Sequence, residues 1–168
     1  MQNLLGKDEY AMYKNGILSE LRIEENGNTN IKTEKSLILS VSAGTTCYRH
    51  IQINENATLM KLHSAILFSF GLDSDHQHSF FIKNRDRSKS AKYINTGGDL
   101  DDANGFTKNV KLSKFNFNKD DKFLYRFDFS GGWRFQIKVL STINELTKSP
   151  YVLKKVGELS QYNNCHDN

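Results

Sequence analysis

The sequence predicts an α+β domain: a largely antiparallel sheet with one principal helix packed on it, plus an N-terminal helical extension. Apolar residues in 59–70 recur at steps of three and four, which indicates a helix with one buried stripe. The segments on either side of Gly131 and Gly132 alternate in polarity, which is typical of two strands joined by a tight turn. Both patterns place large side chains on one face, so we expect helix and strands to share a single core.

Length and composition fit one domain. The chain has 168 residues, of which 38% are hydrophobic, so it can build a core without disulfides or metals. We divide it into an N-terminal extension (1–35), an α+β domain (36–160) and a polar tail (161–168). Within the extension, apolar residues at helical spacing predict a short helix over 8–22, followed by an Asn-rich loop.

The sequence shows neither a secretory signal nor a membrane-spanning stretch. The first ten residues lack the basic start and apolar run of a secretory signal, and the apolar stretch near 65–70 is too short to cross a bilayer. Cys47 and Cys165 have no metal or redox spacing, which is typical of reduced thiols. We therefore expect a cytoplasmic protein with no membrane partner. The net charge of +4 favours anionic partners only weakly, because acidic residues are interspersed.

The elements before residue 84 follow from local patterns. Residues 36–41 and 47–53 alternate in polarity and predict a hairpin, with Cys47, Arg49, Ile51 and Ile53 on one face. Thr58 is placed to cap the start of the helix, and Gly71 to end it in the left-handed conformation. A third strand is expected at 78–83.

The second half of the chain adds a long polar region and a final hairpin. Residues 84–105 form either a long loop or a hairpin through 92–95, and Leu112, Phe115 and Phe117 then make an apolar turn. The last hairpin comprises 123–129 and 133–139. If Phe129 pairs with Trp133, Asp128 lies opposite Arg134, and we predict an ion pair between them.

Histidines are the candidate metal ligands. His76 and His78 are two residues apart, so in a strand both would point to one face, and His63 could complete a set of three. However, no HExxH motif or cysteine pair accompanies them, and a core histidine bonded to a backbone carbonyl explains His63 equally well. The chain also lacks a nucleophile elbow, a phosphate-binding loop and a dinucleotide fingerprint. We therefore expect no cofactor.

A basic run is the candidate nucleic-acid contact. Its members are Lys83, Arg85, Arg87, Lys89 and Lys92. Such a run can follow a phosphate backbone, and Phe81 and Tyr93 nearby could stack on bases. The alternative is a solvated hairpin tip whose charge is balanced by the acidic stretch that follows.

Four sequence blocks carry a family resemblance. They are CYRHIQI, ATLMKLHSAILFSFGLDSDHQHSFFI, KFLYRFDFSGGWRFQIKV and SPYVLKKVGE. In this order they resemble the plasmid pRiA4b ORF-3-like family over roughly 37–158. The resemblance implies an α+β domain with a helix on a largely antiparallel sheet, in a bacterial plasmid or mobile-element setting, and it implies no particular reaction. The matching residues are Arg49, Leu62, His63, Ile66, Gly71, His76, Phe80, Tyr125, Asp128, Phe129 and Trp133.

The chain also departs from the family pattern. Tyr48 stands where Trp is usual, Ser130 and Gly131 replace Gly-Asp, and Phe135 stands where His is common. A later Cys-Pro-Pro-Glu-Asp segment is missing. If the family's site uses that Asp and His, this chain has neither, which favours binding over catalysis.

The function that these observations favour is a small, non-enzymatic binding or accessory domain that contacts nucleic acid. The candidate polar site, expected where the helix end meets the sheet, consists of Arg49, His63, Asp75, His76 and Asp128. Two alternatives remain: a metal-assisted hydrolase that uses the His/Asp cluster, and a protein–protein adaptor.

Overall fold

The structure is a computed structural model and describes residues 34–73, 76–83, 90–95, 103–128 and 132–159. In chain order the elements are β1 (Ser36–Ser42), β2 (Tyr48–Asn54), α1 (Leu59–Phe70), β3 (His78–Lys83), β4 (Ser90–Ile94), β5 (Gly105–Phe106), β6 (Lys122–Phe127), β7 (Trp133–Ile143) and β8 (Tyr151–Val156). Two 3₁₀ turns, Thr107–Asn109 and Leu112–Phe115, lie between β5 and β6. The predicted helix over 8–22 and the tail 161–168 lie outside the described residues.

All eight strands belong to one sheet with the order β5–β4–β3–β6–β7–β1–β2–β8. Every neighbouring pair is antiparallel except β4 and β5, so the predicted largely antiparallel sheet is confirmed. The pairing of two strand pairs is offset by a register shift. One shift lies between Ile38 and Leu39, where β1 pairs with β7, and the other lies between His50 and Ile51, where β2 pairs with β8. Polarity alternation did not predict β8, which forms one edge of the sheet.

Helix α1 has the predicted caps and the predicted buried stripe. Thr58 Oγ1 accepts a hydrogen bond from the backbone N–H of Lys61 at 3.1 Å, and Gly71 ends the helix at φ 68°. The stripe is Leu59, Leu62, Ile66 and Phe70, all buried against the sheet. Burial of such side chains stabilises the fold by about 1.5–3 kcal/mol each before the entropic cost. The described residues contain no helix with the length and apolar content needed to cross a membrane.

The register of the last hairpin differs from the prediction. Phe127 pairs with Trp133, and Arg126 lies opposite Arg134, so the predicted pairing of Phe129 with Trp133 is wrong. The predicted Asp128–Arg134 ion pair is wrong for the same reason. Asp128 has φ 52°, a left-handed conformation that ends the strand before it. The connection between β6 and β7 is therefore longer than a tight turn at the two glycines.

The region 84–105 is not a single loop. Strand β4 pairs antiparallel with β3 from Lys83–Ser90 to Ser79–Ile94, so residues 92–94 lie within a strand of this pair, while 84–89 lie outside the described residues. Strand β5 then adds to β4 in parallel. The apolar turn predicted at 112–117 corresponds to the second 3₁₀ turn, whose Leu112 and Phe115 enter the core.

Gly157 provides a test of packing at the end of β8. It has φ 75°, and a Cβ atom there would lie 2.5 Å from the carbonyl oxygen of Thr46 and 2.9 Å from Cys47 Cα. Gly44 has a similar φ of 86°, but a Cβ there would meet nothing within 4 Å. We expect Gly44→Ala to cost about 1–2 kcal/mol for the left-handed backbone, and Gly157→Ala to cost clearly more because of the added clash. Equilibrium urea unfolding measures both, and equal losses would contradict this packing.

Candidate functional site

Arg49 links the end of α1 to two strands and is completely buried. Its Nε donates to the carbonyl oxygen of Ser69 at 2.7 Å, and its Nη1 donates to the carbonyl oxygens of Tyr48 and Val156 at 2.9 Å each. The guanidinium also lies over the Phe70 ring, 4.4 Å from its centroid. Because Ser69 is in the last turn of α1, the positive charge complements the negative end of the helix dipole. These contacts explain Arg49 as a structural residue.

His63 of α1 and His78 of β3 form a buried pair between the helix and the sheet. Their rings stack with centroids 3.7 Å apart and planes inclined by 14°, and their residues are only 5% and 1% exposed. His63 Nδ1 lies 2.7 Å from the Tyr125 hydroxyl, and His78 Nε2 lies 2.9 Å from Thr107 Oγ1. The expectation that His63 bonds to a backbone carbonyl is therefore wrong. Its partner is a phenol from β6.

Burial keeps this pair uncharged. Loss of solvation lowers the pKa of His63 to about 4. The pKa of His78 is lowered to about 3, mainly by burial and further by the neighbouring His63. Both imidazoles are therefore neutral near pH 7. His63, His78, Tyr125 and Thr107 therefore form an uncharged, hydrogen-bonded cluster in the core.

His76 and Asp128 form a second, more accessible pair. His76 Nδ1 lies 3.6 Å from Asp128 Oδ1, and the two side chains are 32% and 14% exposed. The backbone N–H of Asp128 donates to the carbonyl oxygen of Gln77 at 2.9 Å, which holds the segment before β3 against the end of β6. The His76 ring meets Phe127 edge-on at 5.6 Å, and the centroid of the His63 ring lies 6.0 Å from that of the same Phe127. Phe127 thus lies between the His63–His78 pair and the His76–Asp128 pair.

The predicted polar site is only partly assembled. His76 and Asp128 meet, whereas His63 is buried with His78 and Arg49 has its own set of carbonyl partners. Asp75 lies outside the described residues. His76 precedes β3, so the expectation that His76 and His78 share one face of a strand is wrong.

The alternative metal set of His63, His76 and His78 is not arranged around a common point. Stacked parallel rings direct the nitrogen lone pairs of His63 and His78 along parallel planes, while His76 Nδ1 is close to Asp128. Among the described residues, no group of three His, Cys, Asp or Glu side chains is placed to hold a metal ion.

The sheet face opposite α1, called here the outer face, has a strongly one-sided charge. None of the eight strands contains Asp or Glu. The basic residues that alternation and register place on this face are Lys83, Lys92, Lys122, Arg126, Arg134, Lys138 and Lys154. Register sets Lys122 opposite Lys138 and Arg126 opposite Arg134, so like charges sit side by side. Like charges placed opposite each other repel, and Asp120, 3.4 Å from Lys138, offsets part of this repulsion.

Aromatic and imidazole rings lie among these charges. Tyr48 is half-buried on β2, with His50 at 5.3 Å and the Lys154 ammonium 5.5 Å from its ring. The pKa of His50 is lowered, first by burial and then by the charge of Lys154. Phe81, also half-buried, is flanked across the strands by Lys92 and Leu124.

Acidic residues surround the outer face but lie in the connections. Asp120, which precedes β6, is 3.4 Å from Lys138; the Asp120 side chain is largely exposed and that of Lys138 is partly exposed. Glu145 lies in the β7–β8 connection, where its carbonyl oxygen accepts from Ser36 Oγ at 2.6 Å. The strands themselves keep a net positive surface.

The predicted basic run is represented here by two of its five residues. Lys92 lies beside Phe81 on the outer face, and Lys83 ends β3 on the same face. Arg85, Arg87 and Lys89 lie outside the described residues. Sequence reasoning missed the contribution of Lys122, Arg126, Arg134, Lys138 and Lys154. The signal that could have found them is the absence of acidic residues from the alternating segments.

The comparisons with known proteins agree with this fold. A sequence model of the family described as plasmid pRiA4b ORF-3-like protein matches residues 38–161. The chain is also similar to the crystal structure of a protein of unknown function, MM3350 from Methanosarcina mazei Go1. The identity is 26%, the match covers 74% of this chain and 71% of that chain, and the TM-score is 0.65. The comparison with curated proteins gives no match.

The neutral histidine pair predicts acid sensitivity. Below about pH 6.5 the unfolded chain binds protons at His63 and His78 that the folded chain does not, because their folded pKa values are about 4 and about 3. The free energy of unfolding should therefore fall as the pH decreases through this window, by at most about 1.4 kcal/mol per pH unit for each histidine. Urea unfolding at about pH 7, 6 and 5 measures the slope.

The control concerns His50, because its lowered pKa also makes the free energy of unfolding fall as the pH decreases. His50→Gln removes that contribution and should leave most of the slope, whereas His78→Gln should remove close to half of it. A free energy of unfolding that stays constant between about pH 7 and 5 would contradict a neutral buried pair.

Tyr125→Phe tests the hydrogen bond to His63. The substitution leaves His63 Nδ1 buried without its partner and should cost about 1–3 kcal/mol in the free energy of unfolding. Tyr151→Phe is the matched control, because the Tyr151 hydroxyl donates at 2.8 Å to Gln52 Oε1 at a less buried position. Equal costs for the two variants would mean that burial of the His63–Tyr125 bond adds nothing to its contribution.

Proposed function

This chain belongs to the plasmid pRiA4b ORF-3-like family, and we propose that its domain, residues 36–160, is a non-enzymatic module that binds single-stranded nucleic acid on the outer face of the sheet. The observation that carries the proposal is the charge distribution of the strands, which contain basic but no acidic residues. The family description refers to a plasmid, a setting in which a nucleic-acid partner is at hand.

Charge alone would suit any polyanion, and the rings on the outer face favour nucleic acid. Tyr48 and Phe81 stand on well-separated strands of the sheet, each beside a lysine. Modules that bind single strands combine a cationic track with aromatic rings on which bases stack, since the bases of a single strand are accessible.

The dimensions of the outer face are suited to a single strand. The seven strands from β4 to β8 span about 29 Å at a spacing of about 4.8 Å. A sheet of this width offers room for several nucleotides laid across the strands, in the range of about 4–16 that single-strand modules occupy. A duplex would present its bases only at groove edges, and the described residues of the outer face include no helix that could enter a groove to read them.

The test measures binding of a fluorescent single-stranded oligonucleotide by anisotropy at several salt concentrations. We expect the affinity to fall with salt, and the double variant Arg134→Gln/Lys154→Gln to bind more weakly. Its plot of log affinity against log salt should be less steep by about 0.7 for each phosphate that the variant no longer neutralises. Lys61→Gln is the matched control, because Lys61 is exposed on α1, on the opposite side of the sheet.

Three other outcomes overturn the proposal. Equal weakening by Lys61→Gln would mean that the effect is net charge and not the outer face. Binding to polyglutamate with the same affinity and the same variant pattern would instead assign the face to an acidic protein, which is the adaptor alternative. A duplex that competes better than a single strand would also reject the mode of binding described here.

A further inference from the structure

A cavity of about 290 Å³ lies at the end of the sheet where β3 stops and β6 begins. It is lined by Ile82, Lys83, Phe115, Phe117, Asp121 and Lys122. Lys83 ends β3 and Lys122 begins β6, and both exposed lysines line the cavity. The lining therefore combines aromatic rings with two cationic side chains.

The interior of the cavity is a small stack of rings. Phe117 is half-buried and stacks on Phe123 with centroids 4.9 Å apart and planes 13° apart. Phe115 lies 5.4 Å from Phe117 and meets Tyr93 edge-on at 5.5 Å, which fixes it in the core. Rings held in this way offer a rigid surface against which another flat ring can pack.

Asp121 adds a hydrogen-bond acceptor to the wall. Its Oδ2 accepts from the backbone N–H of Asn118 at 2.7 Å, which holds the carboxylate at the cavity. A carboxylate accepts hydrogen bonds from an exocyclic amino group, such as N4 of cytosine, and faces repulsion from the carbonyl oxygens of uracil or thymine. This wall therefore favours a base that carries an amino group.

We propose that this cavity binds one nucleotide, with the base against Phe115 and Phe117 and the phosphate between Lys83 and Lys122. This rests on the proposed function, because Lys122 continues the basic row of the outer face through its cross-strand neighbour Lys138. The cavity volume is close to the lower end of the range for small-molecule sites, which suits a single base with its sugar. The same chemistry is offered by a free nucleoside monophosphate and by the terminal nucleotide of a strand.

The experiment uses the full chain and follows the ring resonances of Phe115 and Phe117 by NMR during titration with CMP, UMP, cytidine and inorganic phosphate. We expect CMP to shift these resonances and to bind more tightly than UMP, cytidine or phosphate. Lys83→Gln/Lys122→Gln should weaken CMP by about tenfold or more and leave cytidine unchanged. Asp121→Asn should reduce the preference for CMP over UMP.

Lys61→Gln, on α1 and outside both proposed sites, is the control and should leave CMP binding unchanged. Phe117→Leu should abolish CMP binding, and because that variant can affect folding, the exposed lysine variants carry the decision. If the resonances respond only to a short cytidine oligonucleotide, the cavity binds the end of a strand. If neither CMP nor the oligonucleotide shifts them, or if the lysine variants bind CMP normally, the nucleotide site is wrong.

The outcomes also separate this inference from the function on which it rests. Oligonucleotide binding that is weakened by Arg134→Gln/Lys154→Gln, together with silent Phe115 and Phe117 resonances, would reject the cavity and keep the outer face. If the unmodified chain binds no oligonucleotide and CMP leaves the Phe115 and Phe117 resonances unchanged, both proposals are wrong.

Discussion

The structure depends on one packing interaction, the apolar stripe of α1 against one face of the sheet. Leu59, Leu62 and Ile66 are fully buried in it, together with inward-facing residues such as Tyr125 and Phe135. Because the described chain supplies one α-helix for eight strands, the helix and the 3₁₀ turns cover this face only. An antiparallel sheet with its core on one face alternates apolar and polar residues, and here the charged members of the polar set are all basic. Part of the outer face is covered, because Gln52 is buried there and bonds to Thr147 of the β7–β8 connection.

Local patterns predicted the elements whose signal is continuous in sequence. The helix was predictable to the residue because Thr58 and Gly71 give its ends chemical definition. Strand β8 was missed because Lys154 and Lys155 interrupt its alternation of polarity. The predicted register of the last hairpin was wrong because no local sequence pattern indicates the left-handed conformation of Asp128. The bond between His63 and Tyr125 joins residues 62 positions apart, so it depends on how helix and sheet meet. The absence of acidic residues from the strands can be read from the sequence, but which basic residues lie opposite each other follows only from the register.

Three buried polar side chains are bonded to other groups within the core. His63 and His78 bond to hydroxyl groups and are neutral, and Arg49 is held by backbone carbonyls. Hydrogen-bonded networks of this type favour one arrangement of the core over its alternatives, since a slipped helix would leave these groups unpaired in a low-dielectric interior. Arg49 and His63, which match the family pattern, therefore help to fix the position of α1 on the sheet.

The position of β8 at the margin of the sheet has a bearing on self-association. An edge strand offers unpaired backbone N–H and C=O groups to which a strand of another chain can bind, and such pairing leads to aggregation. Consecutive lysines at 154 and 155 and the register shift opposite His50 and Ile51 make this margin charged and uneven. The same lysines that interrupt the alternation of β8 thereby discourage a second molecule from adding a ninth strand there.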